Sequence, residues 1–196
     1  MDNRYDILQL LHQVAEGAVP PEEALSQLKR EPFEDLGYAK VDLHRGVRQG
    51  AAEVLYGAGK TPEQIAGIAQ AMGERGCENI LITRLNPEAA SFVAKAVPLD
   101  YHPVPRLAVA FPGERKALGR IVVATGGTSD MAVAEEAALT AETLGNRVDR
   151  LYDVGVAGLH RLLSNLEPLM SARCVVAVAG MEGALASVIG GLVDCP

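Results

Sequence analysis

Three short polar turns hold most of the side chains that could do chemistry: ATGGTSD (124–130), DVGVAGLHR (153–161) and AGMEGALAS (179–187). In the first, Gly126 and Gly127 let the backbone come close to a ligand, and the N–H groups of the helix start that follows favour an anion. Thr128 and Ser129 add hydroxyl donors. Asp130 has the wrong charge for a phosphate. It either caps the helix, the reading this turn alone favours, or accepts bonds from sugar hydroxyls. The turn is neither a GxGxxG fingerprint nor a P-loop, since no lysine follows its glycines.

The second turn brings Asp153, His160 and Arg161. Arg161 suits a phosphate and His160 proton transfer, or the two are a surface pair at a helix start. The third sets Glu182 among Gly180, Met181 and Gly183 in an otherwise apolar stretch. A carboxylate there is costly unless bonded or functional, which favours a chemical role over a solvated loop acid. A fourth cluster lies in the N-terminal half, where DLHRGVRQG supplies Asp42, His44, Arg45 and Arg48, and Lys60 follows a GAG turn. It reads as an anion site or as a solvated helix face.

The elements that must position these residues follow from hydrophobic periodicity. Ile7, Leu8, Leu11 and Val14 mark one helix ended by Gly17, and Pro20 to Arg30 marks another, so residues 1–38 read as a helical hairpin. Residues 39–105 read as a small α/β domain, with a helix from Thr61 to about Gly73, a strand at 78–84 and a helix at 87–97. Leu99 to Arg106, with two prolines, reads as a linker, and the boundary is placed near Pro105. In 106–196, strands at 121–125, 147–154 and 174–180 alternate with helices at 131–144, 159–170 and 184–193. On the first of these helices Val133, Ala137, Ala141 and Leu144 share one face. Such alternation predicts βαβ crossovers and a doubly wound parallel sheet, whose carboxyl edge carries all three turns.

Composition narrows the function classes. In this 196-residue chain a net charge of −7, with no basic run, argues against nucleic acid. Hydrophobic residues make up 48% but aromatics only 4%, which suits a parallel sheet built from Val, Ile, Leu and Ala. Cys77, Cys174 and Cys195 show no CxxC spacing, so a structural metal is not expected and a reducing compartment is. The N-terminus has no signal-peptide pattern, and Glu182 and several glycines interrupt the most apolar stretch. A cytoplasmic protein with no membrane partner is expected.

Ser129-Asp130, His160-Arg161 and AGMEGAL resemble the corresponding turns of the PurE family of aminoimidazole-ribonucleotide carboxylases and mutases, which have a flavodoxin-like fold. AKVDLHRGVRQGAAEVLYGAGKT, GGTSDMAVAEEA, DVGVAGLHRL and VAGMEGALASVIGGLVD together resemble the related LarB family more closely, over nearly the whole chain. That resemblance implies carboxylation of the pyridine ring of nicotinic acid adenine dinucleotide by CO2 or bicarbonate, with phosphoanhydride hydrolysis releasing AMP. The product would be pyridinium-3,5-biscarboxylic acid mononucleotide, an intermediate of the nickel-pincer cofactor. No covalent cofactor is implied, Mg2+ is left open, and a homo-oligomer, an octamer by analogy with PurE relatives, is expected.

The resemblance assigns Ser129, Asp130 and Arg161 to ribose and phosphate, and Asp153, His160 and Glu182 to the ring. Gly127, Thr128, Gly180, Met181 and Gly183 would line the substrate, and Asp42, Arg45, Arg48 and Lys60 lie in a motif PurE lacks. Ring carboxylation also needs a thiolate, because an electron-poor pyridinium attacks CO2 only after a nucleophile has added to it. The family's cysteine lies beyond the matched region, so the chain is expected to continue past Pro196 with a strand and a helix covering the last apolar stripe. Two alternatives stay open: a PurE-type mutase of carboxyaminoimidazole ribonucleotide, which needs no thiolate, and a non-catalytic nucleotide-binding module.

Overall fold

A computed structural model describes residues 3–29, 33–42, 45 and 53–196. By contacts the chain forms two compact units, Met1–Tyr101 with Ala108–Gly113, and His102–Leu107 with Glu114–Pro196.

The first unit opens with helices α1 (Asn3–Ala15) and α2 (Pro21–Lys29), then an antiparallel hairpin of β1 (Phe33–Asp35) and β2 (Lys40–Asp42). Next come β3 (Leu55–Tyr56), α3 (Pro62–Glu74), β4 (Ile80–Thr83), α4 (Pro87–Val93), β5 (Leu99–His102) and β6 (Leu107–Ala110). These strands lie in the order β3-β4-β6-β5, with β3 parallel and β6 antiparallel to β4. A capping box starts α3: the Thr61 hydroxyl accepts from the Gln64 N–H at 3.3 Å, and Gln64 Oε1 accepts from the Thr61 N–H at 3.0 Å. Ile65, Met72, Ile80, Ile82 and Val93 fill the core.

The segment expected to be a linker is instead strand β5 and a turn. β5 is the edge strand and only half-buried, so it tolerates Asp100 and His102. Pro103 and Pro105 fall in the turn to β6, where neither must donate to the sheet.

The second unit consists of β7 (Arg120–Thr125), α5 (Met131–Thr143), β8 (Arg147–Leu151), α6 (Leu159–Leu163), α7 (Leu166–Met170), β9 (Cys174–Val178) and α8 (Ala184–Gly190). Both β8 and β9 pair with β7 in parallel, in the order β8-β7-β9. Val122 and Ala124 pack on one face with Leu162, Leu169, Leu185 and Ile189. Val123 packs on the other with Ala134 and Ala138 of α5. Helices on both faces explain why β7 is apolar at successive positions rather than alternating.

Local details differ from expectation. The helix expected at 159–170 is two helices, broken at Ser164-Asn165. Pro168 offers no N–H to the Ser164 carbonyl, and in a continuous helix its ring would collide with that group. On α5 the buried residues are Ala134, Ala138 and Leu139, while Val133 and Leu144 are exposed. Small alanines let this helix lie close to the sheet. The apolar stripe on α8 packs toward β7. Leu185 and Ile189 are buried, Leu192, Val193 and Cys195 pack against the same cluster, and the Pro196 carbonyl accepts from the Val175 N–H at 2.9 Å. Among the described residues no helix is long and apolar enough to cross a membrane.

A half-buried polar network joins α5 to β8. Arg150 bridges Glu135 and Glu142, and the Tyr152 hydroxyl donates to Glu135 at 2.6 Å. Burial first, then the bond to Glu135, raises the pKa of the Tyr152 phenol. A raised folded-state value favours the neutral phenol, so its stabilisation is full below the ordinary tyrosine value of about 10 and fades as pH climbs past it. Tyr152→Phe should flatten the alkaline fall in stability measured by urea unfolding at successive pH values. An unchanged alkaline slope would discount the phenol as its source.

Candidate functional site

The strand order sets the site. β8 lies on one side of β7 and β9 on the other, so the winding reverses at β7. In such sheets the crevice beyond the strand ends at the reversal is where ligands bind, here between the turns after β7 and β9.

Those turns are tied together by one carboxylate. Asp130 Oδ2 accepts from the Gly127 N–H at 3.2 Å within its own turn, and Oδ1 accepts from the Gly180 N–H at 3.1 Å across the crevice. The approach is close enough that a Cβ on Gly180 would stand 2.8 Å from Oδ1. Asp130 makes no side-chain cap to α5. Both sequence readings, helix cap or sugar ligand, missed that its oxygens already hold two loops. Gly126 N–H adds a bond to the Val178 carbonyl at 2.9 Å, so the first and third turns share a fixed base.

The second turn is anchored to the same base. Thr125, the last residue of β7, is fully buried, and among the described residues it is the one buried polar side chain. Its hydroxyl accepts from the Asp153 N–H at 2.9 Å, and its carbonyl accepts from Val154 at 2.9 Å. Asp153 in turn accepts from Arg161 Nη1 at 2.6 Å. Arg161 and Asp153, assigned from sequence to different parts of a substrate, are therefore partners. Thr125 escaped sequence reading because it ends an apolar strand, and its hydroxyl gains a role only once β8 is known to lie beside β7.

Residues 33–111 match the LarB/PurE-like N-terminal domain. An uncharacterized protein of Methanocaldococcus jannaschii is 32% identical over 201 residues, which span 97% of this chain and 78% of that protein. The chain belongs to the LarB/PurE-like family.

Not every expected residue of this LarB/PurE-like chain is gathered by the fold. Thr128, Ser129 and His160 are exposed at the turns, and Gly127 and Gly183 are half-buried there. Met181 is 93% exposed and Glu182 is exposed beside it, so the Glu182 charge carries no burial penalty. The reasoning from a costly buried acid does not hold, and any role for Glu182 rests on its place at the crevice. Asp42, Arg45 and Lys60 belong to the first unit. There the Asp42 N–H donates to Glu53 at 2.8 Å, Arg45 is half-buried, and Lys60 Nζ donates to the Tyr56 carbonyl at 2.7 Å. Arg48 and His44 lie outside the described residues.

Two cysteines are placed away from the crevice. Cys174 is the first residue of β9, roughly 13 Å from its carboxyl end at ~3.3 Å of rise per residue. Cys195 adjoins Pro196, whose carbonyl bonds Val175 at that same starting end of β9. Cys77, in the other unit, is partly buried, and burial raises its pKa.

Proposed function

We propose that this chain carboxylates the pyridine ring of nicotinic acid adenine dinucleotide and hydrolyses its phosphoanhydride, releasing AMP and yielding pyridinium-3,5-biscarboxylic acid mononucleotide. The observation that carries this reading is the Asp130 bridge at the winding reversal of a LarB/PurE-like chain. It holds the hydroxyls of Thr128 and Ser129 and the carboxylate of Glu182 on loops that share one base. The β8-β7-β9 order is also that of the first three strands of a flavodoxin-like sheet.

In this reading Ser129, Thr128 and the backbone of the first turn take the phosphate with Arg161. Glu182 and His160 serve the proton that leaves the ring. The step balances as CO2 replacing one ring hydrogen, which departs as a proton, while water divides the phosphoanhydride. A thiolate adds to the ring first and leaves last. Cys174 and Cys195 both stand at the opposite end of β9 from the crevice.

That placement of Cys174 and Cys195 favours one second reading, a PurE-type mutase. Its aminoimidazole ring is already an enamine and needs no thiolate. Mass spectrometry separates the two. Incubation with nicotinic acid adenine dinucleotide, bicarbonate and Mg2+ should give the dicarboxylated mononucleotide and AMP. Unchanged dinucleotide, with turnover of carboxyaminoimidazole ribonucleotide instead, would replace the first reading by the second.

A further inference from the structure

Arg161 is a half-buried residue of the short helix α6, and its guanidinium lies between Gly158 and Asp153. A Cβ on Gly158 would come within 2.8 Å of Arg161 Nε and 3.2 Å of Nη2, so the absence of a side chain at 158 lets the arginine fold back over its own turn. There Nη1 meets Asp153 Oδ2 at 2.6 Å. Asp153 makes this contact from the left-handed region, at φ 57°. Aspartate tolerates that conformation better than most residues but still at a cost, so something must hold it. The fully buried Thr125 hydroxyl accepts the Asp153 N–H at 2.9 Å, and the neighbouring Thr125 carbonyl secures Val154.

We infer that Thr125 and Gly158 are positioning residues for Arg161. Thr125 fixes the backbone of Asp153, Asp153 orients the guanidinium, and Gly158 leaves the space it occupies. With Nη1 engaged, Nε and Nη2 are the donors left for an anionic group at this turn. A pre-oriented arginine loses less freedom on binding than one that samples solvent. The inference rests on the proposed reading only in taking the anion to be the nucleotide phosphate.

Crystal structures and calorimetric binding of nicotinic acid adenine dinucleotide test it with Thr125→Val, Thr125→Ser, Gly158→Ala, Arg161→Ala and the Thr125→Val/Arg161→Ala double variant. Thr125→Val keeps the shape but loses the acceptor. Residue 153 should leave the left-handed region, the Asp153–Arg161 pair should open, and binding should weaken roughly ten- to hundredfold, the worth of a charge-assisted hydrogen bond. Thr125→Ser should restore both. Gly158→Ala should displace the guanidinium with the fold unchanged, because the atoms it meets are the far end of a flexible side chain. The double variant should bind no more weakly than Arg161→Ala alone, since the three residues act as one unit. Additive losses, or an intact pair in Thr125→Val, would overturn the inference. If the wild-type protein binds no dinucleotide, the functional reading fails, while the crystal structures still decide this one.

Discussion

Asp130→Asn should lower kcat/KM about a hundredfold, nearly as far as Asp130→Ala, the scale expected when catalytic groups are misplaced by about 1 Å. At an ordinary helix cap, asparagine and aspartate are nearly equivalent, and even alanine costs only ~1 kcal/mol of stability. Here both carboxylate oxygens accept, one from Gly127 and one from Gly180, and Asp130 makes no side-chain cap to α5. Asparagine can satisfy one of these N–H groups but turns an NH2 toward the other. One of the two turns is then no longer held by this side chain. Steady-state kinetics beside thermal unfolding measure this. Wild-type turnover by the asparagine variant would reduce Asp130 to a local turn residue.

The βαβ rhythm of the second unit was readable because β7 and β9 are apolar runs and a glycine-bearing turn follows each of the three strands. The three turns were readable for the same reason. What sequence could not supply was adjacency. The Asp130–Gly180 bond spans fifty residues, and Thr125 meets Asp153 only because β7 and β8 are neighbours. The apolar face of α5 was set one residue out of phase, at Val133, Ala137, Ala141 and Leu144, because so many positions of this helix are apolar, whereas the face toward the sheet carries Ala134 and Ala138. β5 was lost to the two prolines that follow it, which stand in the turn and leave the strand intact. Glu182 was weighed by the apolarity of its chain neighbours, although a loop at a strand end can hold an acid in solvent however apolar its flanks.

That exposure makes Glu182 the cleanest separation of chemistry from folding. Its neighbour Met181 is 93% exposed, and the loop is held by the backbone bond from Gly180 to Asp130 rather than by its own side chains. Glu182→Gln keeps the size of the side chain and removes a charge with no desolvation cost. Thermal stability should therefore stay within the ~0.5 kcal/mol typical of surface substitutions. Turnover should fall far more, by roughly 10²–10⁴-fold, if this carboxylate handles the proton displaced when CO2 joins the ring. Dinucleotide affinity should change little, because the phosphate contacts assigned to the first turn and Arg161 remain. The decisive quantities are single-turnover rate and affinity measured on the same preparation. A glutamine variant that turns over normally would remove Glu182 from the chemistry and leave His160 as the proton carrier at this edge. Loss of affinity with an unchanged rate would make it a binding group instead.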